Sequence, residues 1–420
     1  MCINILNLLL IIYNFLFKVI YILLCMIDTK KTNSFFNKEG LFEIPLINFK
    51  QSSSENEDVI NYEEFNRLKF FKNKIDDLEN AKDWDEAKKN CNLYELIYLP
   101  NKKFKSDSIS KYEPLSRSYF KLWEIINDFD LLNINESLKF ASVAEGPGGF
   151  IEAIINYRKK FSDVNDSLQA ITLKSVNKDI PGWNKASNFL RKNKNVKISY
   201  GCDNTGNIYN IDNIIDFRTN FKNDAWLVTA DGGFDFSFNF NKQEQMSYRI
   251  IFCEIVIALS IQKKGGSFVC KFFDMYTSIT ISFLYLLISF YDEVHITKPL
   301  TSRPANSEKY IVCKGFKGID ESYIQKLYII VKSWEIVENN KLFVKNIFNF
   351  SNSLFDTKIN VYNTKYFNIQ VSNIQKTLDY IKNKNSDEGN IKKQITAAFS
   401  WCKTYRCKIN YNSSYLCKNK

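Results

Sequence analysis

Lys139-Phe140-Ala141-Ser142-Val143-Ala144, followed by Glu145-Gly146-Pro147-Gly148-Gly149-Phe150, decides the fold. A short apolar strand runs into a glycine-rich turn, and residues 149–160 then carry helical spacing. Glycines let the backbone approach a ligand closely, and a helix start offers free N–H groups. A dinucleotide-binding unit would read GxGxxG, with an acid about 20 residues further on. Here the next strand, 167–173, runs instead into Thr172-Leu173-Lys174 and brings no acid to hold a ribose. The turn reads as a plain structural element or as a cofactor loop. As a cofactor loop, with its stiffening proline, it is closer to those that take a sulfonium compound than to those that take a pyrophosphate.

Working outward, strands are expected over 196–200 and 225–230, a long helix over 243–262, and a break at Gly265-Gly266 before a strand over 267–271. Residues 276–291 form an apolar helical run of about 16 residues. A membrane span needs about 20, so a buried core helix is the better reading. Two further strands follow, over 293–297 and 309–314. Strands alternating with helices imply an α/β protein with a mostly parallel sheet and helices on both faces. In such sheets ligands bind at the carboxyl ends of the strands, near the point where strand order reverses.

Three stretches put reactive groups on that rim. Ala230-Asp231-Gly232-Gly233-Phe234 places an acid at a strand's carboxyl end. Ser267-Phe268-Val269-Cys270-Lys271 ends an apolar strand in a lysine, either extended toward water or placed for chemistry. Residues 298–310 link the last two strands and deliver Glu308 at the start of the final one. Residues 116–124 read as a helix ahead of the first strand and place Lys121 on the same side. A lysine beside a carboxylate in a partly desolvated cleft can be tuned for proton transfer.

The rest of the chain narrows the chemistry. At roughly 150 residues per domain, 420 residues suggest two to three domains. A composition 45% hydrophobic and 25% charged excludes disordered, collagenous and coiled-coil classes. The net charge of +11 suits a polyanion such as RNA, although AT-rich coding gives the same lysine- and asparagine-rich bias without a partner. With His295 the single histidine, a multi-histidine metal site is impossible and any histidine triad would have to use that residue. The ten cysteines are scattered without a CxxC pair, which fits a reduced, intracellular protein without structural zinc.

Residues 3–25 are strongly apolar but interrupted by Asn4, Asn7, Asn14 and Lys18. Three readings stand for the segment 1–27: a membrane anchor, a membrane-surface helix, or sequence upstream of a start at Met26. Residues 28–105 read as an accessory helical region, 106–318 as the α/β domain, and 319–420 as a C-terminal helical extension.

Taken in order, EGPGGF, TLK, the CDNTGNIY stretch from Cys202 to Tyr209, ADGGF, GGSFVCKFFD and KPLTSRPANSEKYIVCKGF resemble the FtsJ/RrmJ-type ribose 2′-O-methyltransferases. Within that family they look most like the cap-specific mRNA methyltransferases of eukaryotes and large DNA viruses. The resemblance spans roughly residues 110–318. It implies a Rossmann-like fold built on a seven-stranded sheet, S-adenosylmethionine as cofactor, and a Lys-Asp-Lys-Glu tetrad at Lys121, Asp231, Lys271 and Glu308. Lys271 is then the base or hydroxyl-orienting group, Asp231 lies near the sulfonium methyl, and Glu308 holds the lysines; no metal is required. The cofactor pocket would take Glu145, Gly146, Pro147, Gly148, Gly149 and Phe150 with Asp231, and Asp203 near the adenosine. Asn204 stands where the family often has glycine, and asparagine tolerates the left-handed backbone such a turn needs. Arg117 and Arg303 are candidates for RNA phosphates or, equally, for salt bridges. The implied substrate is capped mRNA at its first transcribed nucleotide or nucleotides, in the nucleus, the cytoplasm or a virion. Other capping or transcription machinery would be the further partners, and a membrane only if residues 3–25 are an anchor. Ribosomal or transfer RNA as substrate, and a non-catalytic cofactor- or RNA-binding subunit, are the alternatives.

Overall fold

A computed structural model describes residues 34–417, apart from residues 39, 56, 101–106, 162–163, 175–181, 235–238 and 384–387. The apolar segment 1–27 lies outside the described residues. Among those described, no helix is long and apolar enough to cross a membrane.

The strands are β1 (Ser34–Phe36), β2 (Leu46–Ser52), β3 (Lys139–Val143), β4 (Ser167–Ile171), β5 (Val196–Ser199), β6 (Ala225–Ala230), β7 (Gln262–Phe272), β8 (Tyr291–Thr297), β9 (Lys309–Phe316) and β10 (Phe343–Asn349). The main sheet has the order β1-β8-β9-β7-β6-β3-β4-β5, and β2 pairs with β10 in a small second sheet. Strands β5, β4, β3, β6 and β7 are parallel, and β9 runs antiparallel between β7 and β8. Strand order reverses between β3 and β6. The loop after β3 and the acid after β6 therefore meet at one crevice.

The helices are α1 (Tyr62–Asp76), α2 (Ala81–Asn90), α3 (Ser118–Phe129), α4 (Gly149–Phe161), α5 (Ser187–Lys192), α6 (Ile211–Thr219), α7 (Gln243–Met246), α8 (Tyr248–Ile261), α9 (Ser278–Phe290), α10 (Glu321–Asn339), α11 (Ser353–Asn383), α12 (Glu388–Thr404) and α13 (Ser414–Cys417). One core packs α6, α8 and α9 on the sheet, with α10, β10 and the start of α11 beyond them. This outer layer explains why α9, and α8 apart from Arg249 and Glu254, are apolar all round: each is covered on both sides. Phe252 stacks on Phe283 at 5.6 Å and meets Trp334 of α10 at 5.7 Å. The opposite face carries α3, α4 and α12, with Trp123, Tyr119 and Trp401 at the centre.

Four expectations are corrected. The region 28–105 is not purely helical: β1 adds an eighth strand to the main sheet, and β2 joins β10. The extension 319–420 likewise contains a strand, β10. Three residues of β1 are too few for a periodic signal, and the side chains of β2 are mostly half-exposed, so neither announces itself locally. The long helix over 243–262 is split at Ser247, whose hydroxyl bonds the Gln243 carbonyl at 2.7 Å. The Gly265-Gly266 pair does not precede β7 but lies inside it. Gly265 has φ +82°, and a Cβ on Gly266 would sit 2.7 Å from the Trp226 carbonyl oxygen. The glycines make a bulge that shifts the β6–β7 register between Ala225 and Leu227.

His295 lies on β8 opposite Ser34, with Nδ1 2.5 Å from the Ser34 hydroxyl and Nε2 3.2 Å from Glu293. Burial holds its imidazole below the usual value, against the pull of Glu293.

Candidate active site

The parallel register builds the site. Ala230 pairs with Cys270, so the next residues, Asp231 and Lys271, emerge side by side at the carboxyl edge. Across the antiparallel seam Lys271 pairs with Tyr310 of β9. Opposed residues share a face, so all three side chains converge. Lys271 Nζ lies 3.2 Å from Asp231 Oδ1 and donates to the Asp231 carbonyl at 2.8 Å. The Tyr310 hydroxyl donates to the same Oδ1 at 3.0 Å.

The second pair stands beside the first. Lys121 of α3 reaches Glu308, just ahead of β9, at 2.7 Å. Ser302 donates to the other Glu308 oxygen at 2.8 Å, and Lys298 Nζ donates to the Glu308 carbonyl at 2.8 Å. Burial alone would raise the Glu308 carboxyl, but Lys121, Lys271 and Lys298 pull it down to about 2. Burial also opposes a charge on Lys271, yet Asp231, Glu308 and Glu254 overcome it and hold the ammonium above the ordinary lysine value. The four residues form two facing ion pairs, each side chain about 13–14% exposed. That arrangement can hold a hydroxyl oxygen and exchange a proton with it.

Glu145 is 3% exposed, next to the reversal point. Its Oε1 accepts the Phe150 N–H, while Oε2 is buried with no partner among the described residues. Burial, with Asp231 nearby, pushes its carboxyl well above the usual range. Phe150 itself faces the core, 5.9 Å from the Tyr310 ring. Gly148 has φ +104°, and a Cβ there would lie 2.5 Å from the Trp183 ring. Only glycine fits that combination of backbone and neighbour. Asp203 is exposed, and its carboxylate is spent on its own loop, accepting from Thr205, Asn210 and Asn213. Those bonds, the Thr205 hydroxyl first, hold it well below the usual carboxylate range. Asn204 adopts φ 60°, the left-handed conformation expected of it. The Thr205 carbonyl accepts the Lys174 N–H at 2.7 Å and ties this loop to the end of β4.

Two candidates are placed differently from the RNA role. Arg117 donates to the carbonyls of Glu95, Tyr94, Tyr98 and Thr301, and lies 3.4 Å from the Glu95 carboxylate. It is an internal strut. Arg303 grips the same carboxylate with two nitrogens, at 2.7 and 3.2 Å. Glu95 lies in the accessory region and is 6% exposed, and no local motif marks it. Sequence reasoning also missed Tyr310, Ser302 and Lys298. Tyr310 was within reach, because it stands two residues after Glu308 in a strand that must flank the lysine. Glu124 was not: this fully buried carboxylate accepts Leu300 N–H at 2.7 Å and Trp401 Nε1 at 3.0 Å, tying α3 to the Glu308 loop and to α12.

Residues 114–316 match the FtsJ-like methyltransferase family. They form an FtsJ-like methyltransferase domain. Its sheet, with β9 inserted antiparallel beside five parallel strands, is the Rossmann-like methyltransferase fold. Human cap-specific mRNA (nucleoside-2′-O-)-methyltransferase 1 is 39% identical over 197 residues, which is 44% of this chain and 22% of that protein. The Xenopus laevis protein of the same name is 34% identical over 233 residues, 49% of this chain and 26% of its own length. The chain thus spans about a quarter of the length of the curated relatives it matches. A solved structure of a putative ribosomal RNA methyltransferase from Plasmodium falciparum aligns with 49% of this chain and 99% of its own, at 19% identity and TM-score 0.35. In the FtsJ-like domain all four tetrad candidates lie at the carboxyl edge of the sheet or in the elements that close over it.

Proposed function

We propose that the chain is an S-adenosylmethionine-dependent RNA ribose 2′-O-methyltransferase acting on the first transcribed nucleotides of capped mRNA. The observation that carries this reading is the pairing of Lys271–Asp231 with Lys121–Glu308 beside the glycine turn at the point where strand order reverses. S-adenosylmethionine supplies an electrophilic methyl on a positive sulfur, which the ribose 2′-oxygen takes in line while the sulfur keeps the bonding pair. The chain's own residues do the rest. Lys271 and Lys121 hold the 2′-oxygen in line, Lys271 Nζ takes its proton once it has itself released one to solvent and stands as the neutral amine, and Asp231 and Glu308 keep both lysines aimed. Positioning of this kind supplies much of the rate in a displacement. Glu145 fits the cofactor's amino-acid end, because its buried Oε2 is an acceptor waiting for a donor.

Gly148 tests that pocket. Gly148→Ala drives a Cβ into the Trp183 ring at positive φ, a strain of about 1–3 kcal/mol. The expected result is at least a tenfold weaker binding of labelled S-adenosylmethionine in equilibrium dialysis. Unchanged affinity would remove the turn from the pocket.

The capped substrate is supported by the names of the relatives and by a cavity of about 120 Å³ at Asn306 and Ser307, just ahead of Glu308 in the chain. Trp84, Phe240, Ile75, Ile374, Asn306 and Ser307 line it, an apolar and aromatic wall with polar edges on which a base can stack. Capped mRNA as substrate implies an intracellular place of action. The test is methyl transfer from labelled cofactor to a short capped RNA, beside an uncapped copy and a capped copy already 2′-O-methylated. Label on the capped, unmodified RNA alone is the expected outcome. Equal labelling of uncapped RNA moves the substrate to another RNA class. Cofactor binding with no label on any RNA supports a non-catalytic role.

A further inference from the structure

Glu254, on α8 behind the candidate site, is a fully buried carboxylate that the mechanism above does not use. Both of its oxygens are engaged by the strand ends that carry the reacting groups. Oε1 accepts the Gly232 N–H at 3.0 Å, directly after Asp231. Oε2 accepts from the Cys270 thiol at 3.6 Å, directly before Lys271. The approach to Gly232 is so close that a Cβ there would lie 2.3 Å from Oε1. One carboxylate therefore grips β6 and β7 from beneath at the height where Asp231 and Lys271 emerge.

We propose that Glu254 is a positioning residue for the Asp231–Lys271 pair, fixing the turn after Asp231 and holding the ends of β6 and β7 together beneath both side chains. The proposal rests on the methyl-transfer reading for its consequence in rate and on geometry for the contact itself. The groups facing Glu254 are Lys271 and Cys270 from β7, Asp231 from the end of β6, Tyr209 from the loop ahead of α6, and Cys253 on α8 itself. Burial raises the Glu254 carboxyl to about 8, against the pull of Lys271 and the bonds from Gly232 and Cys270. Its charge in turn strengthens proton binding at Lys271. The ion appears only as pH rises past its own titration, so its hold on Lys271 strengthens there.

Two variants separate grip from charge. Glu254→Gln keeps the shape and an oxygen for Gly232 but removes the ionisation. Glu254→Leu removes both contacts. In the parent protein the Gly232 amide resonance is expected to move with a midpoint of about 8, and in E254Q to stay flat. With capped RNA, the limb of the kcat profile that rises with pH is expected to shift to lower pH in E254Q, because Lys271 releases its proton more readily. KM should stay within about twofold, since the group touches no substrate. E254L should lose about tenfold in kcat at unchanged KM. A parent Gly232 resonance that does not titrate overturns the proposal, whether or not the protein transfers methyl groups. Superimposable rate profiles for parent and E254Q also overturn it, and so does a folded E254L with parental kcat. A parent that binds cofactor but methylates no RNA fails the methyl-transfer reading instead, and the Gly232 titration still decides the Glu254 contact.

Discussion

Lys271→Ala is expected to lower the rate of methyl transfer to capped RNA by about 10³-fold, in the range that a positioned proton-transfer group contributes. Affinity for S-adenosylmethionine should change by less than about threefold, because the Glu145 turn that would hold the cofactor's amino-acid end does not contact Lys271. Single-turnover transfer of a labelled methyl, with cofactor binding measured separately, checks both. The effect on folding should be small. Asp231 keeps the Tyr310 hydroxyl, and Glu308 keeps Lys121 and Ser302. Lys271→Arg is the sharper control. It preserves a cation beside Asp231 but cannot give up its proton in the working range. If Arg restores the rate, Lys271 acts by charge alone. A loss in both variants assigns it the proton.

The second large effect concerns stability. Asp274 follows the Lys271 strand and lies between Lys72 of α1, at 2.6 Å, and Lys309 of β9, at 3.0 Å. All three side chains are under 10% exposed. Removing the shared carboxylate leaves two buried ammonium groups facing each other. Asp274→Ala should therefore cost about 3–5 kcal/mol in chemical denaturation at neutral pH, the usual penalty for orphaning a buried charge. A loss under about 1 kcal/mol would show that water reaches the cluster. Although burial opposes it, the two lysines hold the Asp274 carboxyl down to about 2. Because the folded value lies below the unfolded value of about 3.9, this contribution is complete above about pH 4. It fades as pH falls through about 2. The difference between parent and D274A should shrink over that acid interval.

The same cluster shows where local sequence stops being informative. Lys72 sits in a stretch whose charges recur at helical spacing, and nothing nearby distinguishes it from Lys69 or Lys74. Its partner is about two hundred positions away, |i−j| = 202. Arg117 and Arg303 make the same point. Both stand in legible motifs, yet their donors are taken by Glu95 and its neighbours rather than left toward a phosphate. Gly265 and Gly266 were visible as a pair, but a glycine pair reads equally as a break or a bulge. The choice came from the register between β6 and β7.

The alternation of strands and helices, the glycine turn, and the identity of the groups on the rim are all local properties of the chain. Asp231 and Lys271 end continuous apolar runs, and a parallel strand buried on both faces must release its first polar side chain at the carboxyl edge. Strand ends are local properties, so they can be read locally. Which groups lie behind that rim, and what each is spent on, follows from packing between distant segments. That packing set the Glu254 grip beneath both strand ends, the Glu124 tie from α3 across 177 positions to Thr301, and the closure of the sheet by β1. Those depend on burial and on hydrogen-bond partners brought together by the fold. A buried polar group must find whatever partner the packing supplies, at any separation along the chain.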